Sequence, residues 1–92
     1  MSVAEALRAK LEAAFAPAEL DIEDQSARHG GGHAGHREGG ETHFRVRIVA
    51  RAFEGRSRVE RERAVHALLK DEFAAGLHAL SLEIRTPGEA AR

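Results

Sequence analysis

The 92-residue sequence predicts an α+β fold with the element order α-β-β-α-β, in which a three-stranded mixed sheet carries its helices on one face. Helix-capping patterns begin at Ser2 and at Ser57, and three short segments alternate apolar with polar residues. The second helix lies between the second and third of these segments. A helical crossover of that length returns the chain parallel to the preceding strand, with a right-handed connection. We expect one domain spanning residues 1–92.

The first helix is predicted from signals at both of its ends. The Ser2 hydroxyl is placed to accept a hydrogen bond from the Glu5 amide, and the Glu5 carboxylate can reach back to the Ser2 amide. Apolar residues then recur at helical spacing as far as Phe15, and Pro17 cannot continue a helix. We therefore expect this helix to end near Phe15.

The three strands are predicted from period-two alternation. Their apolar positions are Leu20 and Ile22, then Phe44, Val46, Ile48 and Ala50, and finally Leu80, Leu82 and Ile84. In the second strand these positions alternate with His43, Arg45, Arg47 and Val49. The first two strands should form an antiparallel hairpin, and the third should run parallel to the second.

The segment between the first two strands has an unusual composition. Residues 27–42 hold six of the nine glycines and three histidines, and no apolar residue larger than Ala34. Burial cannot hold such a segment in place, so we expect a flexible loop.

The second helix is predicted as one long element. Ser57 and Glu60 repeat the capping pattern of the first helix, and Gly76 stands where a helix terminator belongs. The third strand follows, and Pro87 with the polar tail is expected to end the domain without further regular structure.

The composition excludes several classes of function. The chain has no cysteine, so any metal must be bound by histidine or carboxylate, or through sulfur from a partner. No apolar run is long enough to cross a membrane, and we expect a cytoplasmic protein. We also expect that it is not an enzyme, because no candidate nucleophile has an adjacent base. Four Phe without Trp or Tyr offer little surface for stacking nucleic-acid bases.

The charge is distributed unevenly, although the net charge is only −1. Residues 43–63 contain seven arginines and three glutamates. Such an excess could contact phosphate groups or an acidic protein surface.

Connectivity places His78 beside the glycine-rich loop. Parallel strands begin at the same edge of a sheet, and the loop delivers the chain into His43 at that edge. The loop contributes three more histidines, which are His29, His33 and His36. Two alternatives stay open at this point. Parity puts His78 on the face of Leu80, where it could close the edge of the core, and the loop histidines could be ordinary solvated side chains.

Four segments of the chain, taken in order, resemble the BolA-like family. They are Glu41-Thr42-His43-Phe44-Arg45-Val46, the pattern Phe53-x-Gly55-x-Ser57-Arg58-Val59-x-Arg61-x-Arg63, His78-Ala79-Leu80-Ser81-Leu82 and Thr86-Pro87-x-Glu89. The resemblance spans residues 3 to 89. It implies a class II KH-like αββαβ fold, with a short extra helical turn before the last strand.

The resemblance also implies a partner, a cofactor and metal ligands. BolA-like proteins bind monothiol glutaredoxins and share a bridging [2Fe-2S] cluster with them, which suggests a role in iron–sulfur cluster assembly, trafficking or iron sensing. The implied ligands here are His78 and His29, with His33 and His36 as alternates. His29 matches the second histidine of a Ser-His-x-His loop motif, whose first histidine this sequence lacks. We expect a monomer when the chain is alone and a heterodimer with its partner.

An alternative function is a DNA-binding transcriptional regulator, since the family has also been described in that role. The candidate contacts to DNA are Arg56, Arg58, Arg61 and Arg63. The Gly-x-x-Gly clamp of RNA-binding KH domains is missing between the helices, which weighs against this alternative.

Overall fold

The computed structural model describes residues 2–25 and 43–91. The helices are α1 (Val3–Phe15), α2 (Arg58–Leu68), α3 (Lys70–Ala75) and α4 (Pro87–Ala90), and the strands are β1 (Glu19–Asp24), β2 (His43–Val49) and β3 (Ala79–Arg85). A short 3-10 helix spans Arg51–Phe53. The predicted loop 27–42, with His29, His33 and His36, lies outside the described residues, so its flexibility stays a prediction.

The sheet has the predicted order and directions. Its order is β1-β2-β3, with β1 antiparallel and β3 parallel to β2. In this register Ile48 is paired with Leu20 on one side and with Ile84 on the other. The α+β class and the three-stranded mixed sheet are thereby confirmed, while the class II KH-like assignment stays a prediction.

Both predicted helix starts are confirmed in atomic detail. The Ser2 Oγ accepts from the Glu5 amide at 3.1 Å, and the Ser2 amide donates to the Glu5 carboxylate at 2.8 Å. The Ser57 pair repeats this geometry at 3.2 and 2.7 Å. Each box satisfies amide groups that a helix end would otherwise leave unpaired.

The prediction of one long second helix is wrong, because the chain bends at Leu69. Leu69 has φ −99° and ψ 16°, outside helical geometry, and separates α2 from α3. Hydrogen bonds still cross the bend, from the Leu69 amide to Val65 at 3.1 Å and from the Phe73 amide to Leu69 at 3.1 Å. The α3 helix occupies the place of the extra turn that the family resemblance implied, and Gly76 ends it at φ +130°.

The expectation of an irregular tail after Pro87 is also wrong. A third capping box starts α4, in which the Thr86 Oγ1 accepts from the Glu89 amide at 3.2 Å and the Thr86 amide donates to Glu89 at 2.9 Å. Pro87 occupies the first helical position, where its missing N–H costs no hydrogen bond.

The core lies between one face of the sheet and the helices. Its buried residues are Leu7, Leu11, Phe44, Val46, Ile48, Ala50, Phe53, Val65, Leu69 and Leu77. Phe15 at the end of α1 closes it against Phe53, with ring centroids 4.7 Å apart. Val49 is also buried, although it alternates with the core-facing residues of β2.

The opposite face of the sheet carries charged residues in cross-strand pairs. Arg47 in the central strand donates to Glu19 of β1 at 2.7 Å and to Glu83 of β3 at 3.2 Å. Among the described residues, no helix has the length and apolar character needed to cross a membrane.

Candidate functional site

His78 lies at the mouth of the sheet, as the connectivity predicted. His78 directly precedes β3, and β2 begins at His43, which is paired with Ala79. The Gln25 amide donates to the His43 carbonyl at 2.8 Å. Gln25 and His43, the described residues that flank segment 26–42, are therefore neighbours at the end of the sheet where β3 begins. His29, His33 and His36 lie outside the described residues, so their approach to His78 stays a prediction.

The environment of His78 settles one of the alternatives left open by the sequence. The His78 side chain is exposed, whereas the adjacent Leu77 is only 4% exposed and belongs to the core. The interpretation of His78 as a residue that closes the edge of the core is therefore wrong. An exposed imidazole at the edge of a sheet is sterically available to a partner.

His43 is a neighbour of His78 that the sequence reasoning did not identify as a candidate. The two imidazole centroids are 6.1 Å apart, with 57° between the ring planes. The parallel pairing of β2 and β3 already implied that His43 and His78 are close, because the first residues of two adjacent parallel strands lie side by side. His43 is half-buried and therefore better fixed than His78.

The two histidines at this edge could supply imidazole ligands, but they do not form a closed metal site by themselves. Imidazole nitrogen is a suitable iron ligand, and histidine replaces cysteine on one iron in some [2Fe-2S] centres. Within residues 2–25 and 43–91, no three histidines, cysteines or carboxylates lie close enough to hold a metal ion together. Further ligands would have to come from the loop or from another protein.

Arg61, one of the four predicted DNA contacts, points inward. Its guanidinium donates to both carboxylate oxygens of Glu89, at 2.7 and 3.1 Å, and its side chain is only 12% exposed. It also donates to the backbone carbonyls of Ile84, at 3.3 Å, and Arg56, at 3.0 Å. Arg61 therefore connects α2, β3 and α4, and it is not available to phosphate.

The contact between Arg61 and Glu89 stabilises the charged form of both side chains. Hydrogen bonds from the Arg61 guanidinium, and then from the Thr86 amide, lower the pKa of Glu89 to about 2. The Glu89 contact in turn raises the pKa of Arg61. Glu89 is thus ionised at every physiological pH and acts as a permanent counterion.

The other three candidate arginines are exposed around the start of α2. Arg58 pairs with Glu62 at 3.3 Å, one helical turn away. Arg56 and Arg63 contribute to lowering the pKa of Glu60, although its largest cause is the hydrogen bond from the Ser57 amide. Arg56 and Arg58 also line an open groove of about 450 Å³ beside β3.

The fold, the capped helices and the ordered motifs define a protein class. The chain belongs to the BolA-like protein family, whose family model matches residues 11–89.

Individual relatives agree with this assignment. An uncharacterized protein in the cobS 5′ region of Sinorhizobium sp. is 49% identical over 92 residues, which cover 100% of this chain and 99% of that protein. The chloroplastic protein BOLA1 of Arabidopsis thaliana is 49% identical over 85 residues, which cover 90% of this chain. This chain spans about half of that plant protein, 52% of its length.

The solved structure of BolA1 from Arabidopsis thaliana superposes with a TM-score of 0.88 at 47% identity. The match covers 97% of this chain and 96% of that structure. Because the plant relative is chloroplastic by name, the cytoplasmic location of this chain stays a prediction.

Proposed function

We propose that this chain is an accessory protein in iron–sulfur cluster handling or iron sensing, and that it binds a monothiol glutaredoxin through a shared [2Fe-2S] cluster. The observation that carries the proposal is the exposed His78, which lies next to His43, the first described residue after segment 26–42. Membership of the BolA-like family supports it. In this role the chain is a binding module and not an enzyme.

The ligands in the proposal are His78 and one loop histidine, His29, with His33 and His36 as alternates. A cluster that receives imidazole in place of thiolate on one iron has a higher reduction potential. The chain has no cysteine, so the thiolates must come from the glutaredoxin. His78 is exposed, and its ring centroid lies 6.1 Å from that of His43.

The proposal is tested by mixing the chain with a cluster-loaded monothiol glutaredoxin and recording absorption and circular dichroism spectra. The wild-type chain should produce a spectrum that differs from that of the glutaredoxin alone. His78→Ala should abolish the difference, and replacement of all three loop histidines should do the same. His29→Ala alone should weaken the complex more mildly, because two alternates remain nearby in the sequence.

His66→Ala is the matched control, because His66 is an exposed histidine on α2 whose ring stacks on Phe73 and which is not among the proposed ligands. This variant should give the wild-type spectrum. A folded His78→Ala protein that still gives the wild-type spectrum would overturn the assignment of His78 as a ligand.

A second candidate function, DNA binding, is favoured by the exposure of Arg56, Arg58 and Arg63. It is weakened by the engagement of Arg61 with Glu89. Three phosphate contacts would give a slope of about −3 in a plot of log affinity against log salt concentration. A titration of duplex DNA at several salt concentrations tests this, and a flat plot would exclude a phosphate-driven site.

A further inference from the structure

The outer edge of β3 has unpaired backbone groups. The Ala50 amide donates to the Arg85 carbonyl at 3.0 Å, so Arg85 directs its backbone groups toward β2. Because successive residues of a strand point their backbone groups in opposite directions, Leu82 and Ile84 direct theirs away from the sheet. The contact from Arg61 to the Ile84 carbonyl agrees with this direction. Within the described residues, β3 pairs with no strand other than β2.

The groove of about 450 Å³ runs along this edge, next to Leu82 and Ile84. Both side chains are half-buried, so they form an apolar floor that is still accessible. Arg56 and Arg58 line the groove from the start of α2, and both are exposed. The groove thus combines an apolar floor, unpaired strand groups and a basic wall.

The glutamates that line this groove are already engaged by arginines. Glu89 is held by Arg61, and Glu62 pairs with Arg58 at 3.3 Å. Glu83 lies 3.2 Å from Arg47 and 3.6 Å from Arg85.

The lining contains four arginines and three glutamates, a surplus of one positive charge. Within the described part of the chain, Arg56 has no carboxylate within 4.0 Å; its charge acts on Glu60, which is outside the groove lining, and this accounts for the surplus within the lining. The charge of the groove therefore favours an acidic ligand.

We propose that the free edge of β3 is a docking site for an extended acidic segment of a partner protein. The segment adds to the sheet as a fourth strand and exchanges backbone hydrogen bonds with Leu82, a mode in which main-chain bonds give affinity and side chains give specificity. Apolar side chains of the segment contact the floor, and its carboxylates face Arg56 and Arg58. The Ile84 carbonyl already accepts a hydrogen bond from the Arg61 guanidinium, so the added strand ends before Ile84. This end point fixes the register of the added strand relative to β3.

This surface is separate from the proposed cluster ligand. Leu82 lies four residues along the strand from His78, or about 13 Å at a rise of about 3.3 Å per residue. The docking site therefore does not depend on His78, and the two proposals can fail independently.

The test uses the intact chain and a synthetic peptide of alternating valine and glutamate. Hydrogen exchange followed by nuclear magnetic resonance should show slower exchange of the Leu82 amide when the peptide binds. The Glu83 amide, which points toward β2, should not change and serves as an internal reference. A peptide with lysine in place of glutamate, and one that is N-methylated on the edge facing β3, should both fail to protect Leu82.

Two charge reversals on the protein provide the matched pair. Arg56→Glu should weaken peptide binding by about threefold to tenfold, because it changes an exposed charge beside the ligand. Arg63→Glu makes the same change on α2 but outside the groove lining, and it should leave binding unchanged. His78→Ala should also bind the peptide normally.

Four results would overturn the proposal. They are equal binding of the N-methylated peptide, equal binding of the lysine peptide, absence of protection at Leu82 at millimolar peptide, and displacement of the peptide by a single-stranded oligonucleotide that protects the same amide. The last result would assign the groove to nucleic acid.

Discussion

Leu77 and His78 are consecutive residues in opposite environments, so truncating each to alanine tests what each contributes. Leu77 is 4% exposed and packs in the core, whereas His78 is exposed and has a ring contact with His43. Leu77→Ala should therefore lower stability without removing any group from the proposed ligand set. His78→Ala should do the reverse.

The expected magnitudes are well separated. Truncation of a buried leucine costs about 2–5 kcal/mol of unfolding free energy, and a substitution at an exposed position usually changes it by less than about 0.5 kcal/mol. In a domain of this size each kcal/mol shifts the melting temperature by about 4–8 °C. Leu77→Ala should thus lower the melting temperature by about 8–40 °C, and His78→Ala should change it by no more than about 4 °C.

Thermal melting followed by far-ultraviolet circular dichroism measures the first effect. Spectra of the glutaredoxin mixture, taken below both melting transitions, measure the second. Leu77→Ala should retain the spectrum of the mixed complex, and His78→Ala should lose it. The reasoning fails if His78→Ala is as destabilising as Leu77→Ala, or if only Leu77→Ala loses the spectrum.

Two further predictions concern the end of the domain and the turn before β3. The lowered pKa of Glu89, about 2 against an ordinary 4.5, means that its ionised form stabilises the fold above pH 4.5 and loses this contribution as the pH falls toward 2. The Glu89→Gln variant should therefore be less stable than the wild-type chain at neutral pH and lose less stability between pH 4.5 and pH 2. Urea unfolding at a series of pH values measures both effects. A variant with the same pH profile as the wild-type chain would contradict the role of Arg61. Gly76→Ala should cost about 1 kcal/mol or more in urea unfolding, because φ is +130° although a Cβ would meet no atom within 4 Å. Gly88→Ala, at a position without positive φ, is the control and should be neutral or slightly stabilising; equal losses in the two variants would show that backbone conformation is not the cause.

The sequence predicted most of the elements because their signals are local. Capping boxes and period-two alternation depend on residues a few positions apart, and they located α1, the start of α2 and all three strands. The box at Thr86 has the same local pattern, but a proline in that position is typical both of the first turn of a helix and of a chain segment that ends regular structure. The bend at Leu69 leaves no comparable local signal, since apolar residues continue through it and tertiary packing determines its geometry.

The position of His78 was predicted because topology determines it, whereas contacts that depend on side chains were missed. Parallel connection was enough to place His78 at the edge that receives the loop. The same register implies His43 as its neighbour, because His43 and Ala79 are paired at the start of the two parallel strands. The inward direction of Arg61 could not be recognised from composition, because its partner Glu89 lies 28 residues away and a neighbouring arginine on the same helix is exposed.

The contact between Arg61 and Glu89 also has a consequence for the order of events during synthesis. A chain leaves the ribosome from its N-terminus, so Arg61 is made 28 residues before its counterion. At about 5–20 residues per second, that interval lasts about 1 to 6 seconds. During this time the carboxylate counterion of Arg61 is missing, and of its acceptors in the folded protein only the Arg56 carbonyl is present from the start, because Ile84 is added 23 residues after Arg61. The ion pair between Arg61 and Glu89, which connects the last strand to α2 and α4, can therefore form only after the ribosome has added Glu89.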